Sequence, residues 1–217
     1  KNIGKIKANE AKQLAHWKKE AAKKPIQGYL GIMLILCGLI RLVDEFASSV
    51  ASSMQSSIAA EFYPGLDMAE AVGQYGTMGT LLTLFSSVAV FLGALADKYG
   101  RKKLLIISAL GMGFGMLLCA WSPNYGLHMV GRAVITLFVS TDFHVLYITE
   151  SAPDKNRSMF LSVATVLGYA GVMLVSVGRL TFTGASGNLN WRGVYLIPAV
   201  VAIILGILML TLSNEPR

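Results

Sequence analysis

Three charged residues, Arg41, Asp44 and Glu45, stand in a stretch that is otherwise apolar. Their i, i+3 and i+4 spacing puts them on one helix face, where they can pair internally. An ionised side chain at the centre of a bilayer costs about 2.5–3.5 kcal/mol on an insertion scale, so charge in such a place marks a functional candidate. Ser48, Ser52 and Gln55 continue the same face. A second polar stripe runs Arg132, Thr136, Ser140, His144 and Tyr147, with Asp142 off it by about half a turn. A third runs Ser158, Ser162, Thr165, Tyr169 and Ser176. Arginine offers a forked cation to a carboxylate or phosphate. A desolvated carboxylate such as Asp44, Glu45 or Asp142 can titrate near neutral pH and carry a proton. Each has a plainer reading: a structural ion pair for Arg41, backbone carbonyl partners for Arg132, packing for His144, and interhelical hydrogen bonds for the serines.

The chemistry is that of binding rather than catalysis. The sequence holds no phosphate loop, metal-ligand cluster or nucleophile elbow, so neither an enzyme nor a metal or other cofactor is expected. The residues are 54% apolar and only 14% charged, with mean hydropathy +0.57. A soluble domain carries nearer ~25% charged residues. The expected fold class is therefore all-α, a polytopic membrane bundle. Six apolar runs are long enough to span. They cover about Tyr29–Ile58, Gln74–Ala96, Leu104–Trp121, Leu127–Ile148, Ser158–Leu180 and Val194–Leu212. Three polar stripes in one bundle cannot all face lipid, and they most simply converge on a wet cavity.

Charge orients the bundle. Of the nineteen Lys and Arg residues, fifteen lie in the first 24 residues, the turn at 98–103, the loop at 155–157 and the last residue. These segments fall on one side, which the positive-inside rule makes cytoplasmic, with both termini there. The net charge of +7 is thus accounted for without nucleic acid. Residues 1–28 read as a basic cytoplasmic tail with an amphipathic stretch around Ile6, Leu14 and Trp17, 29–213 as the bundle, and 214–217 as a cytoplasmic end. Cys37 and Cys119 both fall within spans and read as small apolar filler.

The turn between the second and third spans reads GALADKYGRKKLL over Gly93–Leu105. Gly93, Leu95, Asp97, Lys98, Gly100, Arg101 and Lys102 resemble the signature G-x-L-a-D-r-x-G-r-k of the major facilitator superfamily. Gly131-Arg132 resembles its fourth-span arginine motif. Residues Glu150 to Arg157 are similar to the E-x-x-P-x-x-x-R of sugar porters and organic-ion carriers. Trp191-Arg192 and Asn214-Glu215-Pro216-Arg217 look like further signals of those groups. The fifth span lacks the Gly-Pro pair of many drug antiporters, which argues against a drug exporter.

The resemblance covers about residues 29–217 and implies the amino-terminal half of a twelve-span transporter, a 3+3 inverted repeat. It implies a secondary carrier of a small organic solute, an organic anion or sugar-like metabolite, by proton-coupled symport in a plasma or bacterial inner membrane. Partners would be the lipid bilayer and a second six-span bundle, whether a carboxy-terminal half, another chain or a second copy. Arg41, Arg132, Thr136, Ser140, His144, Thr165 and Tyr169 would bind solute, with Asp44, Glu45 and Asp142 coupling protons. Gly93, Asp97, Gly100, Arg101, Glu150 and Arg157 would form a cytoplasmic latch. The alternative is a six-span scaffold or receptor that keeps the fold without transporting.

Overall fold

The computed structural model describes residues 28–89, 100–185 and 187–211. Helix α1 spans Gly28–Ser53, α2 Gln55–Phe62, α3 Met68–Phe85, α4 Arg101–Ala120, α5 Tyr125–Val139, α6 Phe143–Ser151, α7 Arg157–Thr181 and α8 Trp191–Thr211. The fold is all-α, and the described residues contain no strand beyond one isolated bridge, Thr183 with Leu189. The expected basic tail, Gly93 and Asp97 of the turn, and the last residues lie outside the described residues.

Among the described residues, four helical stretches are long and apolar enough to cross a membrane: Arg101–Ala120, Tyr125–Ser151, Arg157–Thr181 and Trp191–Thr211. Helix α1 has the length, at 26 residues, but carries Arg41, Asp44 and Glu45. Helix α3 begins earlier than its apolar run, because Asp67 accepts a hydrogen bond from the Ala69 amide at 3.1 Å and caps it. Helix α4 likewise starts at Arg101, three residues before its apolar run, after Gly100 at φ 92°. That left-handed turn suits glycine.

Small residues set the crossings, as expected where lipid removes the hydrophobic drive between helices. A Cβ on Gly115 of α4 would lie 3.0 Å from the Gly131 carbonyl oxygen of α5. One on Gly113 would lie 3.0 Å from the Ala199 carbonyl oxygen of α8. Helix α7 packs on α1 through Gly168 and Gly171, where a Cβ would press on Arg41 and Glu45 and on the Leu42 backbone respectively. Cys37 and Cys119 are buried and unpaired, in keeping with a filler role.

The expected fourth span is not one continuous helix. It breaks after Val139 and resumes at Phe143. Asp142 sits in the break at φ 47°, ψ 28°, the one non-glycine residue with positive φ among the described residues. Aspartate tolerates this conformation better than bulkier residues. Its carboxylate does not cap α6, and it turns elsewhere.

Candidate functional site

Arg41 of α1 is the hub of a charged cluster. Its Nη1 donates to Asp44 Oδ2 at 3.2 Å and to Asp142 Oδ1 at 3.2 Å, and lies 3.4 Å from His144 Nε2. Its Nη2 pairs with Glu45. Asp44 and His144 are buried, at 3% and 2% exposure. The break at Asp142 explains the grouping. On one unbroken helix Asp142 would lie off the stripe that carries His144. Broken, the chain brings both against Arg41. The stripe from Arg132 to Tyr147 is corrected accordingly, because its lower half belongs to α6 and follows a different phase. Asp44, Asp142 and His144 each offer a ligand atom within 4.8 Å of the others. The Arg41 guanidinium bonds to all three, so it is the cation this cluster holds.

A cavity of about 270 Å³ lies beside the cluster, lined by Arg132, Thr136 and Ser140 of α5 together with Ser48 of α1 and Thr83 of α3. Arg132 rests on the Tyr75 ring, with its Cζ 4.8 Å from the centroid. Gly79 makes room for it: a Cβ there would lie 3.1 Å from Nη2. Tyr195 of α8 closes the cavity and is fully buried. Among the described residues, neither Arg132 Nη1 nor the Tyr195 hydroxyl has a hydrogen-bond partner. A second opening, sharing Ser48, Gly79, Thr83 and Arg132, continues toward Ser52 and Gln55.

The expected solute residues therefore divide. Arg132, Thr136 and Ser140 line the cavity, whereas Arg41 and His144 belong to the charged cluster. Thr165 and Tyr169 line neither. Tyr169 is 67% exposed and the Thr165 hydroxyl donates to its own Leu161 carbonyl at 2.9 Å. The face of α7 packed inward is instead Ala164, Gly168, Gly171 and Val175, and the polar residues stand beside it. Sequence reasoning passed over Gly79, Thr83 and Tyr195. Gly76 and Gly79 make room for the polar ends of Gln55 and Arg132. Interleaved Thr77, Thr80 and Thr83 were the available signal of a wet face.

At one end of the bundle Arg101 pairs with Glu150, joining α4 to α6. Arg157 departs from the expected cluster. It donates to Asp154 at 2.7 Å within its own loop, because three residues separate them at the start of α7. At the other end Glu61 accepts from Trp191 Nε1 at 2.8 Å and from Arg192 Nη1 at 2.5 Å. Arg192 Nη2 also donates to the Ser122 carbonyl at 2.9 Å, so this node ties α2, α8 and the α4–α5 loop. The Arg192 hydrogen bond holds the Glu61 carboxyl below its ordinary range. Behind it the fully buried His128 lies among Phe62, Tyr75, Trp191 and Tyr195, its Nε2 at 3.0 Å from the Tyr75 hydroxyl.

The likenesses to known proteins agree with this architecture. The chain is 35% identical over 147 residues to a D-xylose-proton symporter-like 2 protein of Arabidopsis thaliana, covering 65% of this chain and 28% of that protein. It is 29% identical over 147 residues to polyol transporter 5 of the same plant, covering 66% and 27%. The fold superposes on the proton:xylose symporter XylE with TM-score 0.75 at 18% identity, covering 86% of this chain and 45% of that one. A bacterial homologue of the lysosomal transporter Spinster gives 0.70 at 16%, covering 89% and 45%. The chain thus spans less than half the length of these relatives. The description of the Major Facilitator Superfamily matches residues 45–217, most of the chain, and with the apolar helices this makes the protein an integral membrane protein. The chain belongs to the Major Facilitator Superfamily.

Proposed function

We propose that this chain is the amino-terminal bundle of a secondary carrier that moves a small organic solute, a sugar-like metabolite or organic anion, by alternating access against a second bundle. The observation that carries the reading is the polar cavity around Arg132 standing next to the carboxylate cluster on Arg41. Names of similar proteins, D-xylose-proton symporter and polyol transporter, support a polyhydroxylated solute and a proton as the coupled ion.

The cluster suits proton coupling. Asp44, Glu45 and Asp142 share one guanidinium. With all three carboxylates ionised the group is left with excess negative charge inside the membrane, which is costly. A proton on Asp44, Glu45 or Asp142 relieves it. Solute in the neighbouring cavity and charge on the cluster then both bear on α1. Arg101 and Glu150 form a latch at the cytoplasmic end that opens and closes as the bundles rock. The clustering of basic residues in the segments at 98–103 and 155–157 and at both ends of the sequence supports a cytoplasmic side for both termini.

The test is uptake by the full-length protein in proteoliposomes. Replacing Asp44 and Glu45 by their amides abolishes uptake driven by a proton gradient and leaves solute exchange. Normal pH-driven uptake in both variants would remove the proton role.

A further inference from the structure

The hydroxyl groups around the cavity are not equivalent to free hydroxyls. Ser48 Oγ donates to the Glu45 carbonyl at 2.9 Å, Thr83 Oγ1 to the Gly79 carbonyl at 3.1 Å, and Ser140 Oγ to the Thr136 carbonyl at 2.7 Å. Ser86 Oγ donates to the Thr83 carbonyl at 2.5 Å. In the adjoining opening Thr80 and Ser52 do the same to Gly76 and Ser49. The Gln55 amide nitrogen donates one of its two N–H groups to the Val72 carbonyl at 2.8 Å. Each of these serine and threonine protons is committed to a backbone carbonyl of its own segment, and each oxygen keeps lone pairs; Thr136, also on the lining, has no such bond among the described residues. The wall is thus a field of acceptors, and a ligand that satisfies it must bring donors.

The opposite need is concentrated at one place. Among the described residues, Arg132 is the one ionisable cation on the lining, and no carboxylate stands there. Among the described residues it has no acidic partner. Arg41, Arg101, Arg157 and Arg192 each have one, and Arg179 is exposed near the end of α7. Among the described residues the Arg132 Nη1 is buried without a hydrogen-bond partner, and the fully buried Tyr195 hydroxyl on the same lining, beside Tyr75, makes no hydrogen bond of good geometry. Arg132 is half-buried, but its buried Nη1 is a donor that is costly to leave unmet, and a planar oxyanion is its natural match.

Resting on the reading of this cavity as the solute site, we propose that it takes a polyhydroxylated carboxylate, of the hexuronate or aldonate class, with its carboxylate on Arg132 and Tyr195. Its hydroxyls donate to Ser48, Thr83, Ser86 and Ser140. A hexose satisfies the acceptor wall but leaves Arg132 unmet. A simple carboxylate satisfies Arg132 but leaves the wall unmet.

The experiment measures binding of D-glucuronate, D-glucose, glucose 6-phosphate and acetate to the purified full-length protein. A charge-assisted contact makes glucuronate bind at least about tenfold tighter than glucose, and the hydroxyls make it bind tighter than acetate. Arg132→Gln brings the glucuronate-to-glucose ratio to about one. Ser140→Ala, which leaves the charge in place, weakens glucuronate and not acetate. Glucose binding equal to or tighter than glucuronate in the unaltered protein overturns the class while leaving the solute site standing. So does a ratio unmoved by Arg132→Gln. Tighter binding of glucose 6-phosphate than of glucuronate overturns the carboxylate assignment. Binding of none of the four removes both this inference and the solute site on which it rests.

Discussion

Gly79 and Arg132 are fitted to one another: the guanidinium occupies the space a side chain at Gly79 would need, with Nη2 3.1 Å from the place of a Cβ. The near atom is the far end of a flexible side chain, so Gly79→Ala moves Arg132 rather than the backbone. Alanine also favours the helix by about 0.5–1 kcal/mol over glycine. The expected result is a protein of equal or slightly higher melting temperature whose solute affinity falls several-fold. Thermal unfolding and solute binding, read on the same sample, check it.

Gly115 and Gly131 behave differently. A Cβ on Gly131 would lie 2.9 Å from the Gly115 carbonyl oxygen, and backbone cannot swing aside. Alanine at either position forces α4 and α5 apart and costs about 1–3 kcal/mol. Gly73, where a Cβ would meet nothing within 4 Å, accepts alanine without loss. Melting temperatures of the three variants in one detergent test the contrast. An unchanged value for Gly131→Ala would refute the crossing.

The node at Glu61 has a definite pH dependence. Arg192 holds the folded-state carboxyl below its ordinary value of 4.5. Its contribution to stability is therefore complete above about pH 4.5 and is lost as pH falls through the lower folded value. Glu61→Gln should be less stable than the parent at neutral pH, and the gap should close in acid. Melting curves between neutral pH and acid read this directly. The group is partly exposed, so high salt should also narrow the gap.

Arg101 and Glu150 make a contact between α4 and α6 that a charge exchange can test. Arg101→Glu alone should slow uptake, and the double variant Arg101→Glu with Glu150→Arg should recover part of it. Recovery in the double-variant cycle separates a pairwise contact from two independent losses.

Much of the architecture was legible in the chain itself, because long apolar runs and segregated basic residues follow from the bilayer. The association of Arg41 with Asp44 and Glu45 was legible too, since helical spacing fixes it. Asp142 was not. Its place depends on a left-handed residue in the middle of an apolar run, and no Gly or Pro announces that break. Thr165 and Tyr169 show the opposite limit. Their spacing gave a stripe, but a stripe has no direction until the packed face of α7, set by Gly168 and Gly171, is known. Tyr195 carried no periodic signal, because its apolar ring is what a span requires.

The most direct test of the solute site uses single cysteines in the full-length protein with Cys37 and Cys119, both buried, replaced by alanine. Cysteine is placed in turn at Ser140, Thr83, Thr165 and Tyr169, and the rate of alkylation is measured with and without saturating transported solute. Solute bound around Arg132 slows alkylation at Ser140→Cys and Thr83→Cys and leaves Thr165→Cys and Tyr169→Cys unchanged. Protection at Thr165 and Tyr169 with none at Ser140 and Thr83 would place the solute elsewhere and contradict the site.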